Sequence, residues 1–182
     1  MNPMPSVVTT RILHAPEATN ASGFSRPWVW PLPRLDGLAP GIITPTKGSP
    51  SDHVELGYPG RASSPSLVPV FAAQDGIVAY AGTKGGPTLC LDHAGGWSTQ
   101  YAELEHVLVM PTDRFRHRRK ARVRAGDVLG HARRSALGIS FALTRFTDDG
   151  SVSVDPAEWM HTWSVLPWFA EPSRRVPAQR AA

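Results

Sequence analysis

Eighteen prolines and sixteen glycines in 182 residues cut this chain into apolar runs too short for most helices. Proline removes a backbone donor and clashes inside a helix, and glycine adds an entropic cost. A chain punctuated this densely folds most readily into short strands joined by turns. The runs also alternate with a period of two, which sends one side chain into a core and the next towards solvent. "LVPVFAA" and "GIVAYAG" flank the turn-forming "QDG", "TLCLDH" and "WSTQYAEL" flank "AGG", "VRAGDVLGHA" holds an "AGD" turn, and "GISFALTRF" and "SVSVDP" flank "TDDG". Each reads as strand, turn, strand, and together they predict a mainly β domain built on antiparallel sheet. Only "PAEWMHTWSVLPWF" reads as a short helix. Asp155 can cap it, Pro156 suits its first position, and Trp159, Trp163 and Leu166 recur at helical spacing as a core face.

A chain of this length forms one domain with its own core. Residues 1–26 are polar and aperiodic and read as a flexible N-terminal arm, 27–170 as the β domain, and 171–182 as a disordered basic tail. "RPWVWPLPRL", Arg26 to Leu35, is an extended segment whose tryptophans need burial, which predicts a clamp across the sheet. The lone cysteine, Cys90, excludes an intrachain disulfide and reads as a small core residue. No apolar run has the length of a membrane span, and the first twenty residues lack the apolar segment of a secretory signal. The expectation is a cytoplasmic protein, reaching the outside only by lysis or a dedicated secretion route.

The formal charge of +4 is unevenly spread. Within residues 105–124, a long Arg-rich loop insertion, fall Arg114, Arg116, Arg118, Arg119, Lys120, Arg122 and Arg124. Such a cluster is either a solvated loop or a surface for phosphate, on nucleic acid or on an anionic polymer. Phe115 is its single interleaved aromatic, a thin basis for base stacking.

From Pro69 to Pro156 the order of segments "PVFAAQDGIVAYAG", "LCLDHAGGWSTQYAEL", "VRAGDVLGHA", "SALGISFAL" and "VDP" resembles the M23 (LytM-like, lysostaphin-like) family of zinc peptidoglycan endopeptidases. The Trp-Pro segment is similar to one that often precedes the core in that family. The resemblance implies an antiparallel β core with an open groove. It also implies one zinc, held by a His and an Asp from an early HxxxD and by the second His of a late HxH. The first His of HxH and the His of a Y-x-H-L segment handle protons or the oxyanion. Three protein ligands leave the metal one position for a water whose pKa falls to about 7.

Carried onto this chain, those positions hold other residues. "SALGISFA" places Gly138 and Ser140 where the family has its two histidines, and "YAEL" places Glu103 where it has the Y-x-H-L histidine. The early pair falls on Ser51 and Glu55, or, with His53 as the histidine, on His53 and Gly57. The first alignment keeps Val54 and Leu56 as apolar flanks of a strand. A shifted pair, His53 with Glu55, remains a further arrangement that could touch a metal. Glycine offers no ligand, and a neutral serine hydroxyl is a poor one.

The resemblance therefore implies the frame of a peptidase with its metal residues replaced. The leading expectation is a non-catalytic domain without cofactor, binding a cell-wall peptide or a protein partner in the former groove. Trp97, Tyr101, Glu103 and His93 would line that groove. One alternative is an active zinc endopeptidase with a rearranged site drawn from His53, Glu55, Glu103 and His93. Another is a nucleic-acid-associated protein of a mobile element that uses the arginines.

Overall fold

In "TLCLDH" Leu89 and Leu91 are buried, Cys90 between them is half-buried and Asp92 is exposed, and this phase continues into the neighbouring β7 and β11. The computed structural model describes residues 27–43, 53–60, 67–83, 86–111, 121–132 and 138–168. The arm 1–26, the tail 171–182, Ser51 and the basic residues Arg114 to Lys120 lie outside these. The elements are β1 (Arg34–Leu35), β2 (Gly41–Ile43), β3 (Val54–Gly57), β4 (Val68–Phe71), β5 (Gly76–Gly82), β6 (Thr88–His93), β7 (Trp97–Ala102), β8 (Leu104–Val107), β9 (Arg122–Val123), β10 (Val128–Ala132), β11 (Ile139–Thr147), β12 (Gly150–Val154), α1 (Ala157–Met160) and β13 (Pro167–Trp168).

The long sheet runs β2-β3-β11-β7-β6-β5-β9, with β12 also paired to β11, and its ladders are antiparallel. A three-stranded sheet, β4-β10-β8, packs with it, and β1 and β13 form a short parallel pair. Leu89 and Leu91 of β6, Thr99 and Tyr101 of β7, and Ile139, Phe141 and Leu143 of β11 point inward. Val70, Ala72 and Leu129 meet them from the smaller sheet and its margin. The architecture is the mainly β, M23-like one that the sequence predicts. Among the described residues no helix is long and apolar enough to cross a membrane.

Two of the four expected strand–turn–strand units are hairpins. β6 and β7 pair from Leu89↔Tyr101 to His93↔Trp97, closed by a turn in which Gly95 and Gly96 take φ of 69° and 73°. That left-handed backbone is why the turn reads "AGG". β11 and β12 pair from Leu143↔Val154 to Thr147↔Gly150.

The other two units are corners between sheets. β4 pairs with β10, and β5 with β6 and β9, so "QDG" changes sheet instead of closing a hairpin. The cause is burial: β4 is buried at all four positions, as a strand covered on both faces must be, and a two-sided hairpin arm would alternate. "AGD" likewise joins β9 to β10, which belong to different sheets. The two corners are tied together, since the Ala125 N–H donates to Asp75 Oδ1 at 2.8 Å.

The Trp-Pro segment is the clamp that the sequence predicts. Val29 N donates to Ala73 O, Phe71 N to Pro31 O, and Trp30 N to Ser164 O. The indole of Trp30 donates to Met160 O at 3.0 Å, and Trp28 stacks on Trp163 with centroids 4.8 Å apart. The expected helix is only the single turn of α1. Asp155 Oδ1 accepts from Ala157 N at 2.9 Å, as a cap would. Trp159 and Trp163 are buried, but Leu166 is only half-buried, and beyond α1 the chain turns and then extends into β13.

Cys90 is a correction. It sits out of phase with Leu89 and Leu91, half-buried on the outer face, where burial and then the Asp92 charge push its thiol pKa up.

Candidate functional site

Residues opposite one another in an antiparallel ladder share a face. On the outer face of the long sheet, Glu55 stands opposite Ser140, and Ser140 opposite Ala102. The next row is Tyr80, Cys90, Gln100 and Ala142, and the one after it Asp92, Ser98 and Thr144. This is an open surface of small and polar side chains, edged by Tyr80 and Ile43, each 43% exposed.

Local sequence explains the placement of each residue singled out for the groove. Val54 and Leu56 are buried, so Glu55 between them turns outward. Val54 and Leu56 thus flank a strand, as the alignment of Glu55 with the family's Asp requires. His53, two residues earlier, is exposed just before β3 begins. Ile139 and Phe141 are buried, which turns Ser140 outward, and Gly138 leads into the same strand. Glu103 follows Ala102 in the bend between β7 and β8, exposed, at a left-handed φ of 61°. The fold thus gathers Glu55, Ser140, Gly138 and Glu103 around one end of β11. Ser51 lies outside the described residues.

The donor chemistry there does not fit a three-ligand zinc centre. The register brings one carboxylate against one hydroxyl, and Gly138 contributes no side chain. Among the described residues no group of three or more His, Cys, Asp or Glu is placed to hold a metal. No catalytic step follows from such a set.

Trp97, Tyr101 and His93 are a second correction, because their side chains face the core and not the groove. Trp97 is wedged between Trp159, 5.7 Å away, and Trp28, 6.4 Å away, with the Arg145 guanidinium 5.0 Å over its ring. His93 and Tyr101 belong to one buried polar chain. His93 Nδ1 lies 2.9 Å from Asp75 O, and Nε2 lies 2.7 Å from Thr99 Oγ1. Thr99 Oγ1 is 3.1 Å from the Tyr101 hydroxyl, to which Ala73 N donates at 2.8 Å. A carbonyl only accepts, so Nδ1 carries the ring proton. Burial lowers the His93 pKa to about 4, outweighing the Asp75 hydrogen bond and the Asp92 and Asp75 charges, so the ring is neutral and Nε2 accepts. Burial also pushes the Tyr101 phenol well above its ordinary range.

The physical reason is phase. Along "WSTQYA" the aromatics fall at the core positions, and the groove residue is the one between, Gln100. Gln100, Tyr80 and Cys90 escaped the sequence reading, although strict alternation from Tyr101 would have found Gln100. Of the basic cluster, Arg122 and Arg124 are described, and both are exposed.

With this geometry in place, comparison with known proteins gives a consistent result. Residues 61–143 match the model of peptidase family M23. No curated protein matches the sequence. Among solved structures, a chain of the SpoIIQ–SpoIIIAH pore forming complex is similar at 18% identity and a TM-score of 0.52, over 74% of this chain and 90% of that one. Lysostaphin is similar at 16% identity and 0.48, over 78% and 61% of the two chains. A putative M23 peptidase from Pseudomonas aeruginosa is similar at 18% identity and 0.48, over 76% and 54%. The chain thus spans little more than half of the latter two. Over residues 61–143 the chain is thus similar in sequence to peptidase family M23, and its fold is similar to that of a chain of the SpoIIQ–SpoIIIAH complex.

Proposed function

We propose that this chain is a non-catalytic M23-like domain that binds a peptide segment of a protein partner on the outer face of its long sheet. The observation that carries this reading is the register of β3 on β11. It sets Glu55 directly against Ser140, where the family resemblance calls for two metal ligands. An end of the sheet that offers the carboxylates of Glu55 and Glu103, one hydroxyl and a glycine, with no imidazole among them, is poorly suited to holding a zinc that activates water, yet the face beyond it is flanked by the exposed Tyr80 and Ile43. Small side chains along Ser140, Ala102 and Ala142 leave room above the sheet for an extended peptide. The similarity to a chain of the SpoIIQ–SpoIIIAH complex supports a protein as the partner, since an M23-like fold there takes part in a protein assembly. A cell-wall peptide is the other occupant such a face could take.

The first test is zinc stoichiometry by elemental analysis on the full, untagged chain purified without chelator. The expected result is well below one zinc per chain, even after zinc is added. About one tightly held zinc, lost in His53→Ala or Glu55→Ala, overturns the reading and makes the chain a peptidase with a rearranged site. The second test is retention on insoluble peptidoglycan. Retention without turnover assigns the face to wall peptide instead of a protein.

A further inference from the structure

Past Val107 the chain stays extended, with Leu108 N donating to Leu129 O at 2.8 Å. Val107 and Val109 pack on the core, which turns the residues between and beyond them outward. Leu108 is 57% exposed and Met110 is 52% exposed. The chain leaves at Pro111 and returns at Ala121, whose N–H donates to Pro111 O at 3.2 Å and closes a stem. On the returning side Ala121 and Val123 face the core, and Arg122 and Arg124 are exposed. Met110 and Arg122 thus sit immediately outside the closing pair. Asp127, whose Oδ2 accepts from Arg124 N at 2.8 Å, tempers the charge at the base. The intervening residues, 112–120, lie outside the described ones, and their sequence holds Arg114, Arg116, Arg118, Arg119 and Lys120 against Asp113.

Two large exposed apolar side chains on one side of the closing pair and two exposed arginines on the other are a specific combination. A polyanion such as nucleic acid rewards cations and stacking rings, and it gains nothing from exposed Leu and Met. The boundary of a bilayer rewards both, because aliphatic side chains enter at the acyl level while Arg meets the phosphates above it. We propose that this stem, through Leu108, Met110, Arg122 and Arg124, docks the domain on an anionic lipid bilayer by a surface contact that spans nothing. The stem is distinct from the outer-face residues of the proposed peptide site, so the two readings stand or fall separately.

The test is co-sedimentation of the full chain with vesicles of phosphatidylcholine alone and of phosphatidylcholine mixed with phosphatidylglycerol. Binding is expected only to the mixed vesicles, and it weakens as salt is raised. The double variant Leu108→Ser/Met110→Ser is expected to lose roughly tenfold in apparent affinity, and Arg122→Gln/Arg124→Gln a comparable amount. All four residues are solvent-facing, and unchanged thermal unfolding confirms that both variants fold. Two results overturn the proposal. One is failure of the parent to bind mixed vesicles. The other is retention on duplex DNA that the arginine variant abolishes and the Leu/Met variant leaves intact, which assigns the stem to nucleic acid.

Discussion

Gln100 and Tyr101 are chain neighbours on β7, yet one faces solvent among Cys90 and Ala142 while the other is fully buried among Leu89 and Phe141. The same contrast holds along the whole sheet. On the inner face His93, Thr99 and Tyr101 are locked into one hydrogen-bonded chain, which spares their buried polar atoms the cost of going unpartnered. On the outer face Glu55 and Ser140 are under no packing constraint from the core. A ligand set on that face can be exchanged for serine, glycine and glutamate without disturbing the sheet. The residues that build the core and the residues open to a ligand therefore occupy opposite faces of the same strands, and they can change independently.

The comparison is most severely tested on the inner face. Phe141→Ala removes a fully buried ring that meets Tyr101 edge-on, and it is expected to lower stability by about 3–5 kcal/mol in denaturant unfolding. A loss under about 1 kcal/mol would mean that the inner face is not the tightly packed one.

The second test uses pH. His93 has a pKa of about 4 in the folded protein, below its ordinary value near 6.5 in the unfolded chain. Between these values the unfolded state binds more protons, so stability rises with pH, is complete above about 6.5 and is lost as pH falls towards 4. The change is up to about 3 kcal/mol. Urea unfolding at neutral and mildly acidic pH measures it, and His93→Gln, though less stable itself, should flatten the slope. An unchanged slope would show that other groups set the pH dependence.

The smallest effect belongs to the outer face. Glu55→Gln and Ser140→Ala should each change stability by no more than about 0.5 kcal/mol, while weakening capture of a peptide partner. A stability loss above about 2 kcal/mol from either would make these residues structural and end the contrast between the faces.

The strands themselves were legible because alternation is a local property: Leu89, Leu91, Phe141 and Leu143 announce their faces one residue at a time. So were the turns that need left-handed glycines, such as Gly95 and Gly96. Pairing was not legible. "LVPVFAA" and "GIVAYAG" look like hairpin arms because they adjoin a turn signal, and nothing in the string says that Val68–Phe71 pairs instead with the distant Val128–Ala132. The groove suffered from a related ambiguity. Trp97, Tyr101 and His93 have the side chains a binding site uses, but the same aromatic area is what a core buries, and chemistry alone does not separate the two uses.

By itself, then, the sequence determined the β class, the alternating strands and the resemblance to peptidase family M23, since each is written in residue type and spacing. Tertiary structure alone decided which strands meet, that Glu55 faces Ser140, that His93 is held neutral in a closed polar chain, and that Leu108 and Met110 stand exposed. Register and burial, exposure at Leu108 and Met110 included, are set by the simultaneous packing of two sheets from residues far apart in the chain, and no local pattern carries that information.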